Sequence, residues 1–400
     1  MGTESLYTAF YKQLQETDTQ FIRYLYYKIS WKSRLIAITG ARGAGKSTLL
    51  LQYLKLNYGK KNKNALYVSL DNIWFTTNRL YDLGEEFVKQ GGEALCLDEV
   101  HKYPEWAREI KNLYDSFPSL KIIFTGSSML EIYKGNADLS RRAVHYQLHG
   151  LSFREYLLFE KKIDFPALSI NELLENHIEI AQNINEKIKP LPIFQNYLKT
   201  GYYPYFIEDE AIYPLKLMNV INVVLEMDLP SVEKIEIYSI HKIKKLLSIL
   251  SKMVPFSPNV TSLSAQIEVS RNSLMNYLHI LDKAHIINML TSDSNGLKTL
   301  TKPEKIYLNN TNLIFAFEND KPDIGNLRET FFFNQLKAVS CVTSSHKTDF
   351  TIDGKYQFEV GGKNKGHEQI VGLPNAHLAL DNIEYGFGNK IPLWLFGFLY

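Results

Sequence analysis

The run Gly40-Ala-Arg-Gly-Ala-Gly-Lys46-Ser47 fits the spacing G-x-x-x-x-G-K-[ST] throughout. Glycines at such positions let backbone N–H groups turn inward around phosphate oxygens, and a helix opening near Gly45 adds the positive end of its dipole. Lys46 would bring a point charge to the β- and γ-phosphates, and the Ser47 hydroxyl would ligate Mg²⁺. The stretch expected to hold Mg·ATP is therefore Gly40, Ala41, Arg42, Gly43, Ala44, Gly45, Lys46, Ser47 and Thr48. A second acid is needed on the metal side, and Ala94-Leu-Cys-Leu-Asp98-Glu99 offers an apolar strand ending in two carboxylates. Asp98 would hold the water shell of Mg²⁺, while Glu99 would orient and deprotonate an attacking water. A water-activating acid at this place favours ATP hydrolysis over phosphoryl transfer to a metabolite. Farther on, Phe124-Thr125-Gly126-Ser127-Ser128 ends another apolar run, and Ser127 or Thr125 could sense the γ-phosphate. The pair Arg141-Arg142 could neutralise transition-state charge, within the chain or across a subunit boundary.

The elements that must carry these groups are readable from period. Leu35–Thr39 is a short β-branched run before the glycine loop, and Thr48–Tyr58 has helical period after it. Further strands are predicted at Ala65–Leu70, Ala94–Leu97 and Lys121–Thr125, with helices at Leu80–Lys89 and Trp106–Ser116 between them. Strands that are apolar throughout and alternate with helices predict a parallel sheet covered on both faces. Residues 4–33 read as aromatic and helical without a strong break.

Gly40–Ser47, Asp98-Glu99-Val-His101, Pro104-Glu-Trp106, Thr125-Gly-Ser-Ser128, Arg141-Arg142 and Leu151-Ser-Phe-Arg-Glu-Tyr156 together resemble one family. It is that of bacterial and archaeal AAA-superfamily ATPases with a C-terminal nuclease-like domain of unknown function. The resemblance runs in order from Gly40 to Tyr156 and continues more weakly to the end of the chain. It implies an AAA+-like fold with Mg·ATP at the glycine loop, and it leaves the cellular role unassigned.

After Phe159 the strands stop. Residues 169–187 and 240–252 read as helices, with prolines between them. Ser262–Ser270 followed by Arg271–Leu281 has the spacing of helix, turn, helix: Ala265, Ile267 and Val269 face inward, Ser270 caps, and Leu274, Leu278 and Leu281 share a side. With Ala284–Leu290 as a wing strand, this resembles a winged helix. Its charge is modest, since Lys242, Lys244, Lys245, Lys252, Arg271 and Lys283 stand against Glu268 and Asp282. DNA contact through Arg271, Asn272, Asn276 and His279 and docking of a protein are both open readings. From Lys305 the order strand (Ile306–Leu308), helix (Leu327–Val339), strand (Thr348–Ile352), strand (Tyr356–Val360) resembles the restriction-endonuclease-like core. Its acids would be Glu329, Asp349 and Glu359. The resemblance asks for Glu-x-Lys on one strand face, but position 361 is glycine, and Lys363 shares that face only if the strand continues through both glycines. A second metal site at Asp349, Glu359 and Lys363 is the resulting expectation, in a domain that reads as degenerate. The scattered histidines show no zinc-ligand spacing.

Composition bounds the rest. The 45% hydrophobic and 22% charged fractions describe a globular chain and exclude disorder and collagen-like repeats. A net charge of +2 excludes a histone-like polycation. Cys96 and Cys341 cannot build a disulfide framework, which favours a reducing cytoplasm. No apolar run approaches the ~18–20 residues that span a bilayer, and the start of the chain lacks a signal-peptide core. The terminal run Ile391–Tyr400 reads as a buried strand. The aromatic content fits interfaces between domains or an oligomer face. The expected architecture is α/β: a P-loop (AAA+-like) parallel-sheet domain at 1–158, a helical lid at 159–235, a winged helix at 236–295 and a nuclease-like α/β domain at 296–400. The expected activity is that of an ATP hydrolase switching a macromolecule, with an ATP-gated DNA nuclease or a nucleotide-holding scaffold as the alternatives.

Overall fold

The structure, a computed structural model, describes residues 2–59, 63–126, 139, 141–230, 236–253, 255–292, 302–318 and 322–400. Its contacts divide the chain into two compact units: Met1–His149 with Val224–Ile235, and Gly150–Val223 with Glu236–Tyr400. This division is coarser than the four expected domains, and it draws Val224–Ile235 away from the residues of the expected lid.

The first unit opens with α1 (Glu4–Glu16), whose Leu6, Phe10 and Leu14 are spaced to share one buried face. The chain turns extended at Thr17 and resumes as the short α2 (Tyr24–Lys28), so residues 4–33 hold two helices rather than one run. Then follow β1 (Leu35–Thr39), α3 (Lys46–Tyr58), β2 (Ala65–Ser69), α4 (Leu80–Lys89), β3 (Ala94–Asp98), α5 (Trp106–Ser116), β4 (Lys121–Gly126) and β5 (Val144–Gln147). All five strands are parallel, in the order β2-β3-β4-β1-β5. Strands β1 to β4 are buried almost end to end, because helices cover both faces. β5 escaped prediction: it is an edge strand whose Val144 is 40% exposed, so no apolar run announces it. In register, Thr39 pairs with Gly126 and Leu97 with Phe124, which brings the carboxyl ends of β1, β3 and β4 to one edge. Ligands of open parallel sheets bind at that edge.

The second unit is helical at first: α6 (Ile170–Asn185), α7 (Pro190–Thr200), α8 (Tyr213–Val223), α9 (Ile237–Met253), α10 (Val260–Ile267) and α11 (Arg271–Lys283). Between α10 and α11 the chain turns through Glu268 in the left-handed region, and Ser270 caps α11 by accepting from the Ser273 amide. β6 (Ile287–Leu290) falls within the strand expected at Ala284–Leu290. Its antiparallel partner is β7 (Lys305–Leu308), a strand that the sequence reading assigned to the C-terminal sheet. Both strands bury apolar side chains, Ile287 against Leu308 among them, and that pairing removes β7 from the sheet beyond.

That sheet follows α12 (Thr311–Glu318) and α13 (Ile324–Lys337) and is mixed, in the order β12-β11-β10-β9-β8. Its strands are β8 (Val342–Ser344), β9 (Phe350–Ile352), β10 (Tyr356–Gly362), β11 (Ala376–Asp381) and β12 (Lys390–Pro392). The terminal run is buried as expected but is not one strand, since Leu393–Phe398 winds into a 3₁₀ helix. A continuous apolar run cannot tell the two apart, because period carries no signal when every face is covered. A large amide and hydroxyl network is also buried here. Asn312, for example, accepts from the Tyr202 amide at 2.8 Å and the Tyr213 hydroxyl at 2.6 Å while donating to the Leu198 carbonyl at 2.8 Å.

His177 in α6 is buried, and its Nδ1 faces the Leu174 carbonyl at 3.3 Å, which makes that nitrogen the donor. Nε2 is buried without a hydrogen-bond partner among the described residues, and burial pulls the imidazole pKa below its ordinary value. A histidine lowered in the folded state resists protonation while the unfolded chain accepts it. Stability should therefore fall as pH drops below about 6.5, the unfolded value. Thermal denaturation followed from pH 7.5 to 5 should show this loss, and His177→Gln should flatten it.

Candidate functional site

The glycine loop leaves β1 and ends in α3, as its sequence context requires. Gly43 and Gly45 have φ of 82° and 96°, values that glycine adopts at little cost. A Cβ on Gly40 would stand 2.3 Å from the Leu148 carbonyl oxygen, so the loop's first residue admits no side chain. Lys46 is folded inward, donating to the Gly40 and Ala41 carbonyls at 3.0 Å each. Burial lowers its pKa below the ordinary lysine value, while the Glu99 and Asp98 carboxylates pull it upward.

Asp98 closes β3 and is buried. The Tyr67 hydroxyl donates to its Oδ2 at 2.7 Å and also bonds the Ser47 side chain, so a single phenol ties the two expected Mg²⁺ ligands together. The Thr125 hydroxyl, at the end of β4, donates to Asp98 Oδ1 and accepts from the Glu99 amide at 3.3 Å. Thr125 thus positions both acids. Its neighbour Ser127, the candidate sensor, lies outside the described residues. Glu99 sits at φ 50°, in the left-handed region where a residue of this type costs about 1–3 kcal/mol. Its Oε2 is buried without a hydrogen bond among the described residues and lies 3.4 Å from His101 Nε2. Hard oxygen donors at Ser47 and Asp98, with a strained carboxylate beside them, suit Mg²⁺ and a water at a phosphate.

Two residues belong to this site that the motifs do not name. Arg23, buried before α2, donates to the Ala44 carbonyl at 2.5 Å and the His149 carbonyl at 2.8 Å, bracing the loop. Arg23→Ala should cost about 1–3 kcal/mol in urea unfolding, the penalty for leaving buried carbonyls unmade, and should weaken nucleotide binding. The other is Asp228, whose side chain is 1% exposed. Arg42 Nη1 lies 3.2 Å from its Oδ2, Lys102 Nζ 2.8 Å from its Oδ1, and His101 Nε2 4.0 Å from the same oxygen. Arg42, expected among the phosphate-binding residues, is thus paired within the protein.

The arginine pair is not brought to the loop. β5 runs parallel to β1 with Val144 opposite Ile36, so Arg141 and Arg142 precede the sheet at its amino edge. The glycine loop leaves the other edge, roughly 13 Å away along β1. Arg142 holds Asp115 in a two-pronged pair at 3.0 and 3.1 Å, and Arg141 is exposed. Within one chain neither reaches the phosphates from there.

In the second unit the expected acids do meet. Lys305 Nζ lies 3.2 Å from both Glu329 Oε2 and Asp349 Oδ1, the Tyr307 hydroxyl donates to Glu329 at 2.8 Å, and the Val360 amide donates to Asp349 at 3.0 Å. Burial raises the pKa of Glu329 and of Glu359, and the Asp349 charge adds to both shifts. The lysine differs from expectation. β10 does run through Gly361 and Gly362, yet Lys363 is exposed, and a turn carries Lys365 back onto Glu359. The Lys365 stem lies where a Cβ on Gly361 would point, with its Cδ 2.6 Å from that position. In this arrangement Lys305 and Lys365 sit on the carboxylates expected to hold a metal, while Lys363 is exposed. Among the described residues no group of three or more His, Cys, Asp or Glu side chains is arranged to hold a metal. No described helix is long and apolar enough to cross a membrane.

Residues 32–157 match the family described as an AAA domain, and residues 191–323 match a domain of unknown function, DUF8612. An uncharacterized protein of Methanocaldococcus jannaschii is 28% identical over 287 residues, covering 69% of this chain and 60% of its own length. A second uncharacterized protein of that organism is 23% identical, covering 88% of this chain and 81% of itself. A Haemophilus influenzae protein, also uncharacterized, is 22% identical over 68% of this chain and 63% of itself. The chain therefore spans less than two thirds of the length of two of these relatives. Among solved structures, C. elegans PCH-2 covers 44% of this chain and 46% of its own at TM-score 0.25 and 17% identity. AMPPCP-bound DnaA from Aquifex aeolicus covers 70% and 88% at TM-score 0.24 and 15% identity.

Proposed function

We propose that the chain binds Mg·ATP at the glycine loop and hydrolyses it, using the cycle to switch a macromolecular partner. What supports this reading is one convergence: Lys46, Ser47, Asp98, Glu99 and Thr125 gather at the carboxyl edge of a single parallel sheet. The loop amides would take the phosphate oxygens, and Lys46 would exchange the Gly40 and Ala41 carbonyls for the β- and γ-phosphates. Ser47 and Asp98 would hold Mg²⁺, which neutralises charge on those phosphates. Glu99 would take the proton of a water attacking the γ-phosphorus as the bridging oxygen departs with ADP. Arg141 or Arg142 would assist only from a neighbouring subunit.

Phosphate release from ATP, measured with and without duplex DNA, tests the reading. Turnover that rises with DNA would make nucleic acid the partner through α10–α11 or the C-terminal sheet. Turnover indifferent to DNA favours a protein, and the absence of turnover would leave a nucleotide-holding scaffold. The competing reading, an ATP-gated DNA nuclease, draws on the meeting of Glu329, Asp349, Glu359 and the repositioned Lys365. It requires Mg²⁺-dependent cleavage lost in Asp349→Asn and Glu359→Gln.

A further inference from the structure

Two loops flank the place where the proposed reading puts the terminal phosphate of ATP. One is the glycine loop, carrying Arg42, and the other follows Asp98-Glu99 and carries His101 and Lys102. Basic groups from both converge on one carboxylate that neither loop supplies. Asp228 takes Arg42 on one oxygen at 3.2 Å and Lys102 on the other at 2.8 Å, with His101 at 4.0 Å. It also stands close enough to the glycine loop for its charge, with those of Glu99 and Asp98, to act on the Lys46 ammonium. Burial alone would raise the Asp228 pKa, but His101, Lys102 and Arg42 outweigh it and hold the group well below the usual carboxylate range. Asp228 is thus an ionised, buried anion beside the phosphate-binding residues.

We propose that Asp228 is an internal competitor of the terminal phosphate of ATP, holding Arg42 and Lys102 until a nucleoside triphosphate displaces it. The inference rests on the ATP reading above. A γ-phosphate brings more charge and more acceptor oxygens than one carboxylate, so it can take both cations. ADP lacks that group and leaves the pairing intact. A displaced Asp228 cannot stay buried without partners, so the segment around it must move. That segment is covalently continuous with α8 of the second unit, which gives phosphate occupancy a main-chain output.

The test is calorimetric titration of the full chain with AMPPNP and with ADP, each with Mg²⁺, for the wild type, Asp228→Asn and Lys46→Ala. Asp228→Asn should tighten AMPPNP about 5- to 150-fold, the span usual for coupled sites, and leave ADP within twofold. Equal shifts for both nucleotides, no shift, or weaker AMPPNP would overturn the competitor role. Wild-type binding that Lys46→Ala does not reduce would instead sink the ATP reading on which it depends. Hydrogen exchange in the wild type guards against a variant that folds poorly. Amides of residues 224–230 should exchange faster with AMPPNP than with ADP, and equal or slower exchange refutes the proposal.

Discussion

Glu99→Gln should leave ATP binding within about twofold of the wild type while phosphate release falls by about 10²–10⁴-fold, the usual contribution of a positioned general base. The substitution preserves the shape of the side chain and the amide that donates to Thr125 at 3.3 Å. What it removes is the basic oxygen that would accept the proton of water. Among the described residues Glu99 Oε2 is buried without a hydrogen bond, and its backbone is held at φ 50°, so the protein maintains it in place at a cost in strain. Single-turnover phosphate release alongside nucleotide titration separates the two effects. Equal turnover in variant and wild type would remove Glu99 from the chemistry.

Lys46→Ala should weaken ATP binding by about 10- to 150-fold, the equivalent of the ~1.5–3 kcal/mol carried by hydrogen bonds to a charged group. The arrangement also dictates a pH dependence. Burial lowers the Lys46 pKa below that of lysine in the unfolded chain. Charging it in the folded, nucleotide-free protein therefore costs stability at low pH, and this cost is relieved as pH rises from the lowered value to that of lysine in the unfolded chain. ATP affinity runs the other way, because a neutral amine attracts phosphate weakly. Affinity should fall on the alkaline side earlier than an ordinary lysine would dictate, and this fall should be absent in Lys46→Ala. Equilibrium titrations over a pH series measure both.

The parts of this molecule that were legible in sequence are those whose signals are local. The strand, glycine loop and helix around Gly40–Ser47 follow from residues adjacent in the chain, as do the helices Leu80–Lys89 and Trp106–Ser116. Asp98 and Glu99 were readable because an apolar run ends in them. Asp228 was not: it meets Arg42 across 186 residues, in a stretch with no motif of its own. Arg23 reads as one more charged residue in an aromatic segment until the fold sets it against the Ala44 carbonyl. The place of the arginine pair was hidden for a related reason. Its place in chain order suits a catalytic arginine, but only the pairing of β5 beside β1 reveals which edge of the sheet it occupies. Lys365 escaped because spacing rules assume a straight strand, whereas here a turn after Gly362 folds the chain back.

The first unit is assembled from two stretches of chain, Met1–His149 and Val224–Ile235, with the second unit entered twice. It is therefore not a cassette that a single junction could separate. A fragment ending at His149 would keep Lys46, Asp98 and Glu99 yet discard Asp228, leaving the side chains of His101 and Lys102 without the carboxylate they surround. Recombination that swapped C-terminal halves between relatives would meet the same obstacle. Inheritance of the two units would then be tied together, because the chain of the first unit is continued through the second.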